Sequence, residues 1–170
     1  MAPSLRLATE FDLPAINEIY NYYVLRSTCT YQLEPDSIED RQMWFREHPP
    51  EKYPVIVTEL DGHVVGWGSL SKFRPRAGLA PTVEAAVYIS HHMHRRGLGR
   101  TILSDLIQRA RQIGFHSLIG SVSAEQFASI ALQESLGLRT VAHLVEVGLK
   151  FGQRLDLMYL QLMLGSESGS

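Results

Sequence analysis

The sequence is poor in cysteine and lacks long apolar runs. Cys29 is the only cysteine, so no disulfide can form within one chain. This composition is typical of a reducing compartment and predicts a cytoplasmic protein. No segment approaches the run of about 20 apolar residues that a membrane-spanning helix needs, and the first residues lack the basic and apolar regions of a signal peptide. We therefore expect no membrane partner.

The sequence also lacks a strong excess of charge of either sign. Its 170 residues carry a formal net charge of -2, with 20% charged and 45% hydrophobic residues. A basic surface for nucleic acid is therefore not expected. This length fits one domain with its own core, and we place that domain at residues 1–164. The small polar residues 165–170 are typical of a flexible tail.

Hydrophobic periodicity predicts groups of strands alternating with helices. Asp61-Gly62, between two apolar runs, is a strong hairpin signal. The predicted helix caps are Asp12, Ser37 and Ser123, and an apolar stripe over 96–113 predicts a long amphipathic helix. The predicted strands are 4–8, 53–60, 63–70, 82–90, 117–122, 140–150 and 154–164. This order implies an α/β protein with a mixed sheet and helices on its faces.

The segment His94–Arg100 follows the strand 82–90 and opens the long helix. Gly97 and Gly99 let the main chain approach a ligand closely. The first amides of a helix lack internal partners and carry partial positive charge, so they can cradle a diphosphate. The Walker motif is absent, and Ile102 occupies the third glycine position of the dinucleotide fingerprint. An ordinary strand–helix turn with exposed arginines is the alternative.

The same segment resembles the Q/R-x-x-G-x-G/A acetyl-CoA motif of the GNAT superfamily, with His94 in its opening position. Further segments resemble the phosphinothricin and methionine sulfoximine N-acetyltransferase branch: 7–16, 53–62, 82–90, 128–137 and 149–156. The resemblance implies the GNAT fold, with a mostly antiparallel, splayed sheet of about seven strands and helices on both faces. It also implies a homodimer, often built in this branch on the C-terminal strands.

The resemblance implies acetyl-CoA as co-substrate. Main-chain amides from about Arg96 to Thr101 would hold its diphosphate, and Val87 and Ile89 would pair with its pantetheine amides. The thioester oxygen would meet the amide of Tyr88 or Ile89. The full set of expected cofactor contacts is Val87, Tyr88, Ile89, His94, Arg95, Arg96, Gly97, Leu98, Gly99, Arg100, Thr101, Gln126 and Ser129.

Glu84 stands in the apolar segment 81–89 and is the candidate general base. A carboxylate in such a strand is costly to desolvate unless it is hydrated or partnered, and partial burial makes it a better proton acceptor. Amine acetylation needs a proton acceptor because an ammonium has no lone pair. The matching glutamate in the resembled family is the proposed base. An outward-facing glutamate on an edge strand is the alternative.

Gln133 stands where the resembled branch usually has histidine, so we expect the CoA thiolate to take its proton from water. His91, His92 and His94 lie in one loop without a carboxylate at ligand spacing. An exposed basic loop is therefore favoured over a metal site, and we expect no metal.

Phe73, Arg74 and Arg76 lie in the loop before strand 82–90. A guanidinium presents a planar fork suited to carboxylate or phosphinate, and the resemblance implies that both arginines help to bind an amino-acid substrate. Two exposed charges on a solvated loop are the alternative. Thr30 and Tyr31 match a segment that lines the same pocket, although Tyr31 fits a place in the core equally well.

These features predict an enzyme that acetylates the primary amine of a small amino-acid-like molecule of the phosphinothricin, methionine sulfoximine or methionine sulfone type. Two alternatives stay open: an N-acetyltransferase for peptides or proteins, and a non-catalytic acyl-CoA-binding module. A closed pocket around Arg74 and Arg76 would favour the small substrate, whereas an open groove would favour a peptide.

Overall fold

The computed structural model describes residues 2–165, so all of the predicted tail except Gly165 lies outside the described residues. Residues 2–165 form four α-helices and seven β-strands. The helices are α1 (Leu13–Arg26), α2 (Ile38–Arg46), α3 (Leu98–Ile113) and α4 (Phe127–Ser135). The strands are β1 (Ser4–Leu7), β2 (Val55–Leu60), β3 (His63–Lys72), β4 (Thr82–Ile89), β5 (Ser117–Ser123), β6 (Arg139–Lys150) and β7 (Gln153–Met163). None of the helices in this part of the chain has the length and apolar character needed to cross a membrane.

All seven strands form one sheet in the order β1-β2-β3-β4-β5-β7-β6. Neighbouring strands pair antiparallel except for β4 and β5, which are parallel. The predicted hairpin between β2 and β3 is present, with positive φ angles at Asp61 (50°) and Gly62 (79°). These angles match the tight turns that join twisted antiparallel strands. The predicted α/β class and mixed, mostly antiparallel sheet are confirmed.

The sheet separates two apolar cores. Along β2, Val55 and Val57 pack with α1 and α2, whereas Ile56 between them packs with α3. This alternation follows from the two-residue period of a strand. The predicted stripe on α3 is buried against the sheet, with Ile102 and Leu106 both at 0% exposure. Burial of each such side chain contributes about 1.5–3 kcal/mol.

The predicted helix caps are only partly confirmed. Ser37 caps α2, since its Oγ accepts a hydrogen bond from the Asp40 amide at 3.1 Å. The prediction for Asp12 is wrong, because its carboxylate accepts from Arg6 at 2.7 and 2.8 Å and from the Thr9 amide at 2.8 Å. The Arg6 guanidinium holds the pKa of the Asp12 carboxyl below its usual range. The ion pair therefore outcompetes the helix cap and ties β1 to the start of α1.

Two other helix boundaries also differ from the sequence prediction. Ser123 is not a helix cap, because it ends β5 and its hydroxyl donates to the Glu125 carboxylate at 2.7 Å. The helix α3 begins at Leu98 rather than at residue 96. Positive φ angles at Arg95 (62°) and Gly97 (75°) keep the preceding residues out of the helix.

Gly68 of β3 allows α3 to lie close to the sheet. A Cβ at this position would lie 2.5 Å from Cγ2 of Ile102 and 2.9 Å from the carbonyl oxygen of Ala86. We expect Gly68→Ala to lower the free energy of unfolding by about 1–3 kcal/mol, because the helix must shift. Urea denaturation measures this loss. Gly78→Ala is the control, since a Cβ there meets nothing within 4 Å; equal midpoints for the two variants would contradict this packing.

Candidate active site

The pairing between β4 and β5 ends halfway along both strands. Its register runs from Thr82 opposite Ser117 to Ala85 opposite Gly120. Beyond this point β4 continues to Ile89 and stays paired with β3 on its other side. The two parallel strands therefore diverge and leave a gap that opens towards their C-terminal ends.

The main-chain groups of Val87 and Ile89 face this gap. The Ser90 amide donates to the Val65 carbonyl of β3 at 2.9 Å. Hydrogen-bonded pairs alternate along an antiparallel ladder, so Tyr88 also faces β3 while its two neighbours face away from it. Ile89, rather than Tyr88, therefore presents its amide to the gap.

The hydroxyl of Tyr23, on α1, lies at the open end of the gap and binds two groups there. It donates to the Ile89 carbonyl and lies 2.6 Å from Nε2 of His94. Because the single hydroxyl proton goes to the carbonyl, His94 donates from Nε2 to the hydroxyl oxygen. Burial raises the pKa of Tyr23, so the hydroxyl keeps its proton. Sequence reasoning missed Tyr23, because its partners lie 66 and 71 residues away along the chain.

The gap leads into a cleft of about 750 Å³. Most residues that the sequence singled out line it, namely Thr30, Tyr31, Glu84, Val87, Tyr88, Ile89, His94, Arg95, Gly97, Leu98, Gly99, Arg100, Gln126, Ser129 and Gln133. The other five expected site residues are not part of this lining, and they are Phe73, Arg74, Arg76, Arg96 and Thr101. A cleft of this volume is in the range of cofactor sites.

The start of α3 presents free main-chain amides to one end of the cleft. The first main-chain hydrogen bond of the helix is donated by the Thr101 amide to the Gly97 carbonyl at 3.1 Å. The amides of Leu98, Gly99 and Arg100 precede it and have no partner within the helix. No side chain caps this helix start among residues 2–165. These amides and the helix dipole leave partial positive charge at the place where the glycine spacing predicts an anion cradle.

Three arginines surround this helix start. Arg95, Arg96 and Arg100 are all exposed. Arg100 also donates to Ser135 Oγ at 2.7 Å and so joins α3 to α4. Their charges add to the partial charge of the helix end and favour a phosphorylated ligand.

Glu84 lies at the closed end of the gap and is half-buried. Its neighbours Val83 and Ala85 belong to the core beneath α3, so its side chain points to the opposite face, where α1 lies. The Ser121 hydroxyl donates to Glu84 Oε1 at 2.6 Å. The strand β4 is central in the sheet, so the alternative of an edge-strand glutamate is excluded. The carboxylate therefore combines a fixed orientation with access to the cleft.

Arg74 reaches from the loop after β3 to β7. Its guanidinium donates to the Tyr159 hydroxyl at 2.7 Å and lies 4.4 Å from the centroid of the Phe73 ring. Tyr159 is opposite Ser121 in the register of β5 and β7. Because Ser121 also binds Glu84, Arg74 lies at the edge of the region around the candidate base.

The corner around the two predicted substrate arginines is open in the single chain. Arg74 and Arg76 are both exposed, and Arg76 precedes the short 3-10 helix Ala77–Leu79. Within the described part of the chain, the Arg76 side chain makes no hydrogen bond or ion pair, although its main-chain carbonyl accepts from the Leu79 amide at 3.0 Å. These arginines therefore do not by themselves form the closed pocket expected for a small substrate.

The segment after α1 is held against β6 and β7. The Thr30 hydroxyl is hydrogen-bonded to Tyr20 at 3.0 Å, and the Thr30 carbonyl accepts from Lys150 at 2.8 Å. The Tyr31 hydroxyl donates to the Asp156 carbonyl at 3.0 Å. Lys150 is buried, and burial lowers the pKa of its ammonium. These contacts fix the shape of the cleft wall and engage the Thr30 hydroxyl within the protein.

The start of α4 forms the facing wall. The side-chain amide of Gln126 donates to Thr28 Oγ1 at 3.1 Å and so joins the start of α4 to the segment after α1. Ser129 Oγ lies 3.4 Å from Nε2 of Gln133. Gln133 is 8% exposed, and its Oε1 has no hydrogen-bond partner among the described residues.

The histidine-rich loop packs against aromatic rings. The His91 ring stacks on Tyr22 with 3.8 Å between centroids, and His92 lies against His91 at 3.6 Å. Between residues 2 and 165, no group of three His, Cys, Asp or Glu side chains is arranged to hold a metal ion. Cys29 lines the cleft, but burial raises the pKa of its thiol and so disfavours a thiolate nucleophile.

Comparison with known proteins identifies the class to which this cleft belongs. The acetyltransferase (GNAT) family matches residues 16–138. The L-methionine sulfoximine/L-methionine sulfone acetyltransferase of Salmonella typhimurium is 37% identical over 161 residues, which cover 95% of this chain and 94% of that protein. The chain therefore belongs to the GNAT acetyltransferase family and is an acetyltransferase.

Solved structures share the whole architecture. An acetyltransferase from Salmonella typhimurium with its cofactor acetyl-CoA has a TM-score of 0.94 and 36% identity, covering 99% of this chain and 98% of that chain. A phosphinothricin acetyltransferase from Sinorhizobium meliloti in complex with acetyl-CoA has a TM-score of 0.94 and 32% identity, covering 100% of this chain and 92% of that chain. The expected GNAT fold is thus confirmed.

Proposed function

We propose that the protein transfers the acetyl group of acetyl-CoA to the primary amine of a small amino-acid-like substrate. The supporting observation is one continuous cleft, which runs from the free amides of α3, along the gap between β4 and β5, to Glu84. Relatives named for methionine sulfoximine, methionine sulfone and phosphinothricin match almost the whole chain. These three compounds are therefore the proposed acceptors.

The residues of the cleft fit acetyl-CoA. The amides of Leu98, Gly99 and Arg100 suit its diphosphate. Its pantetheine arm carries amides that can pair with the free main-chain groups of Val87, as an added strand would. The Ile89 carbonyl is already bound by the Tyr23 hydroxyl, so Ile89 has only its amide left to offer the cofactor. The remaining proposed contacts lie along the same path: Tyr88, His94, Arg95, Arg96, Gly97, Thr101, Gln126 and Ser129. Of these, Arg96 contributes charge from outside the cleft lining, and the Thr101 hydroxyl holds the Gly97 carbonyl at 3.1 Å.

Glu84 is the general base in this proposal. It accepts a proton from the substrate ammonium, directly or through a water, and the neutral nitrogen then attacks the thioester carbonyl carbon. The Ile89 amide, which faces the gap, donates to the carbonyl oxygen as that oxygen gains charge. The C–N bond forms, the C–S bond breaks, and the nitrogen loses its second proton to solvent. The thiolate is protonated by water, because a thiol pKa of about 8.5 makes it a tolerable leaving group.

We propose that the acceptor binds on the α1 face near Glu84, with Thr30 and Tyr31 in the cleft lining and Phe73 and Arg74 outside it, at its edge. We propose that Arg74 binds the carboxylate or phosphinate of the substrate, since its planar fork is fixed by Tyr159. Arg76 adds positive charge at the same corner. The openness of this corner in the single chain favours a peptide amino terminus as the second candidate acceptor.

The proposed function is tested by thiol release from acetyl-CoA with a panel of acceptors. The panel contains methionine sulfoximine, methionine sulfone, phosphinothricin, free methionine and a short peptide with a free amino terminus. We expect the sulfoximine, the sulfone or the phosphinate to give the highest kcat/KM. Turnover of the peptide alone would establish the second candidate, and acetyl-CoA binding without turnover of any acceptor would indicate a non-catalytic module.

Glu84→Gln should lower kcat at neutral pH by about tenfold or more, because the amide cannot accept a proton. The loss should shrink at high pH, where more of the substrate amine is already neutral. Initial rates across the pH range measure both effects. Glu134→Gln, an exposed change on α4, is the matched control. An unchanged pH–rate profile in the Glu84 variant would remove the base assignment.

The proposal places this activity in one cytoplasmic domain of residues 1–164. All seven strands belong to one sheet, which supports a single domain. The single, half-buried Cys29 suits a reducing compartment.

We further propose a homodimer built on β6. Among the strands that the structure describes, β6 lies at the edge of the sheet and pairs only with β7. Large apolar side chains on it are exposed, among them Val141, Leu144, Val145, Val147 and Leu149. An exposed apolar edge strand is a surface that proteins normally cover, and a second copy of this chain would cover it.

Light scattering during size-exclusion chromatography should give twice the mass of one chain. The double variant Val145→Glu, Val147→Glu should shift the protein towards monomer, because like charges would meet at the edge strand. Phe11→Glu is the control, since Phe11 is 96% exposed but lies before α1. A wild-type mass of one chain at micromolar concentration would refute the dimer.

A further inference from the structure

Gln133 carries a buried hydrogen-bond acceptor inside the cleft. The side chain is 8% exposed, and its Oε1 has no hydrogen-bond partner among residues 2–165. Its Nε2 reaches only Ser129 Oγ, at the long distance of 3.4 Å. A buried carbonyl oxygen without a partner destabilises a protein, so its presence requires an explanation.

Gln133 lies at the closed end of the gap between β4 and β5. Its amide rests on Gly120, where an added Cβ would overlap with Oε1. Gly120 is opposite Ala85 in the last pair before the two strands diverge. Gln133 and Gly120 both line the cleft. The absence of a side chain at position 120 therefore makes room for the glutamine amide at the point where the gap begins.

Gln133 and Glu84 approach this point from opposite faces of the sheet. Helix α4 packs into the core beneath α3 through Ile130 and Leu132. The Glu84 side chain points to the face on which α1 lies, because its neighbours along β4 point to α3. If the acceptor amine approaches with Glu84, the face of Gln133 is left for the thiol end of the cofactor.

We propose that Gln133 Oε1 accepts a hydrogen bond from a donor at the thiol end of the bound cofactor. This inference rests on the proposed function. Two donors are present at that end: the pantetheine amide N–H nearest the sulfur, and the S–H of CoA after transfer. The last torsion of a glutamine side chain is broad, so the oxygen can turn from Gly120 towards the gap with little strain. An amide does not titrate, so Gln133 binds the cofactor without acting as an acid.

This role predicts opposite effects on stability and affinity. Gln133→Met keeps a similar side-chain length and removes the buried oxygen without a partner. We expect a higher Tm for the protein without ligand, because the buried polar group is gone. We also expect the Kd for acetyl-CoA to rise about five- to tenfold, as for the loss of one hydrogen bond. A glutamine with only a structural role would change the Tm alone.

Calorimetric titrations of the full chain with acetyl-CoA and with CoA test the proposal. Gln161→Met is the matched control, because the Gln161 amide donates to Ser117 Oγ at 2.8 Å and lies outside the cleft lining. The control should leave both affinities unchanged. Gln133→Leu serves as a second variant if the methionine variant does not fold.

If the affinities for acetyl-CoA and for CoA fall equally, the donor is the pantetheine amide. If only the affinity for CoA falls, the donor is the thiol. Unchanged affinity for both ligands in a folded Gln133→Met variant would overturn the inference while leaving the proposed function intact. If the wild-type protein binds neither ligand, the proposed function fails and this inference fails with it.

Discussion

The site depends on one structural constraint, the divergence of the parallel strands β4 and β5. The strands β4 and β5 pair from Thr82 to Ala85 and then separate, although both continue. Beyond Ala85, β4 has a main-chain edge that no strand of residues 2–165 covers, yet it lies in the middle of the sheet. Buried main-chain groups need partners, so this edge stays viable only if side chains or a ligand complete it. Tyr23 supplies one such partner at the Ile89 carbonyl.

The same gap connects the two faces of the sheet. The helices α3 and α4 cover one face and provide a positive helix start, free amides and the buried Gln133. The other face, covered by α1 and α2, holds Glu84, Ser121 and Tyr159. A ligand in this gap would therefore be bound from one face and accessible to a second reactant from the other. Side-chain alternation along β4 makes this division unavoidable, since consecutive residues point to opposite faces.

Glycines determine how closely these layers approach. Gly66 and Gly68 of β3 lie under α3, and Gly120 of β5 lies under Gln133. Gly97 is needed for its backbone conformation and not for close packing. A Cβ there would meet nothing within 4 Å, but its φ of +75° disfavours other residues. The acceptor corner shows no comparable constraint. Its arginines are exposed on a loop, and Arg74 is held there by the Tyr159 hydroxyl rather than by close packing of layers.

Sequence reasoning placed the glycine-rich helix start and the strand of the candidate base correctly, because both depend on local features. Gly97 and Gly99 mark a helix start by spacing, and Glu84 is conspicuous as a carboxylate within an apolar strand. Local patterns failed where a distant partner competed. Asp12 should cap α1, but Arg6 on a separate element binds its carboxylate more strongly. Ser123 likewise belongs to β5, because pairing with β7 extends that strand.

The amino-acid sequence by itself determined the order of helices and strands, the faces that they bury and the glycine-rich helix start. Periodicity and glycine placement are properties of neighbouring residues, so they can be read along the chain. Only the tertiary structure decided which amide faces the gap, that Tyr23 holds Ile89, and that Gln133 is buried above Gly120. These relations depend on sheet register and on contacts between residues far apart in sequence, which local patterns do not encode.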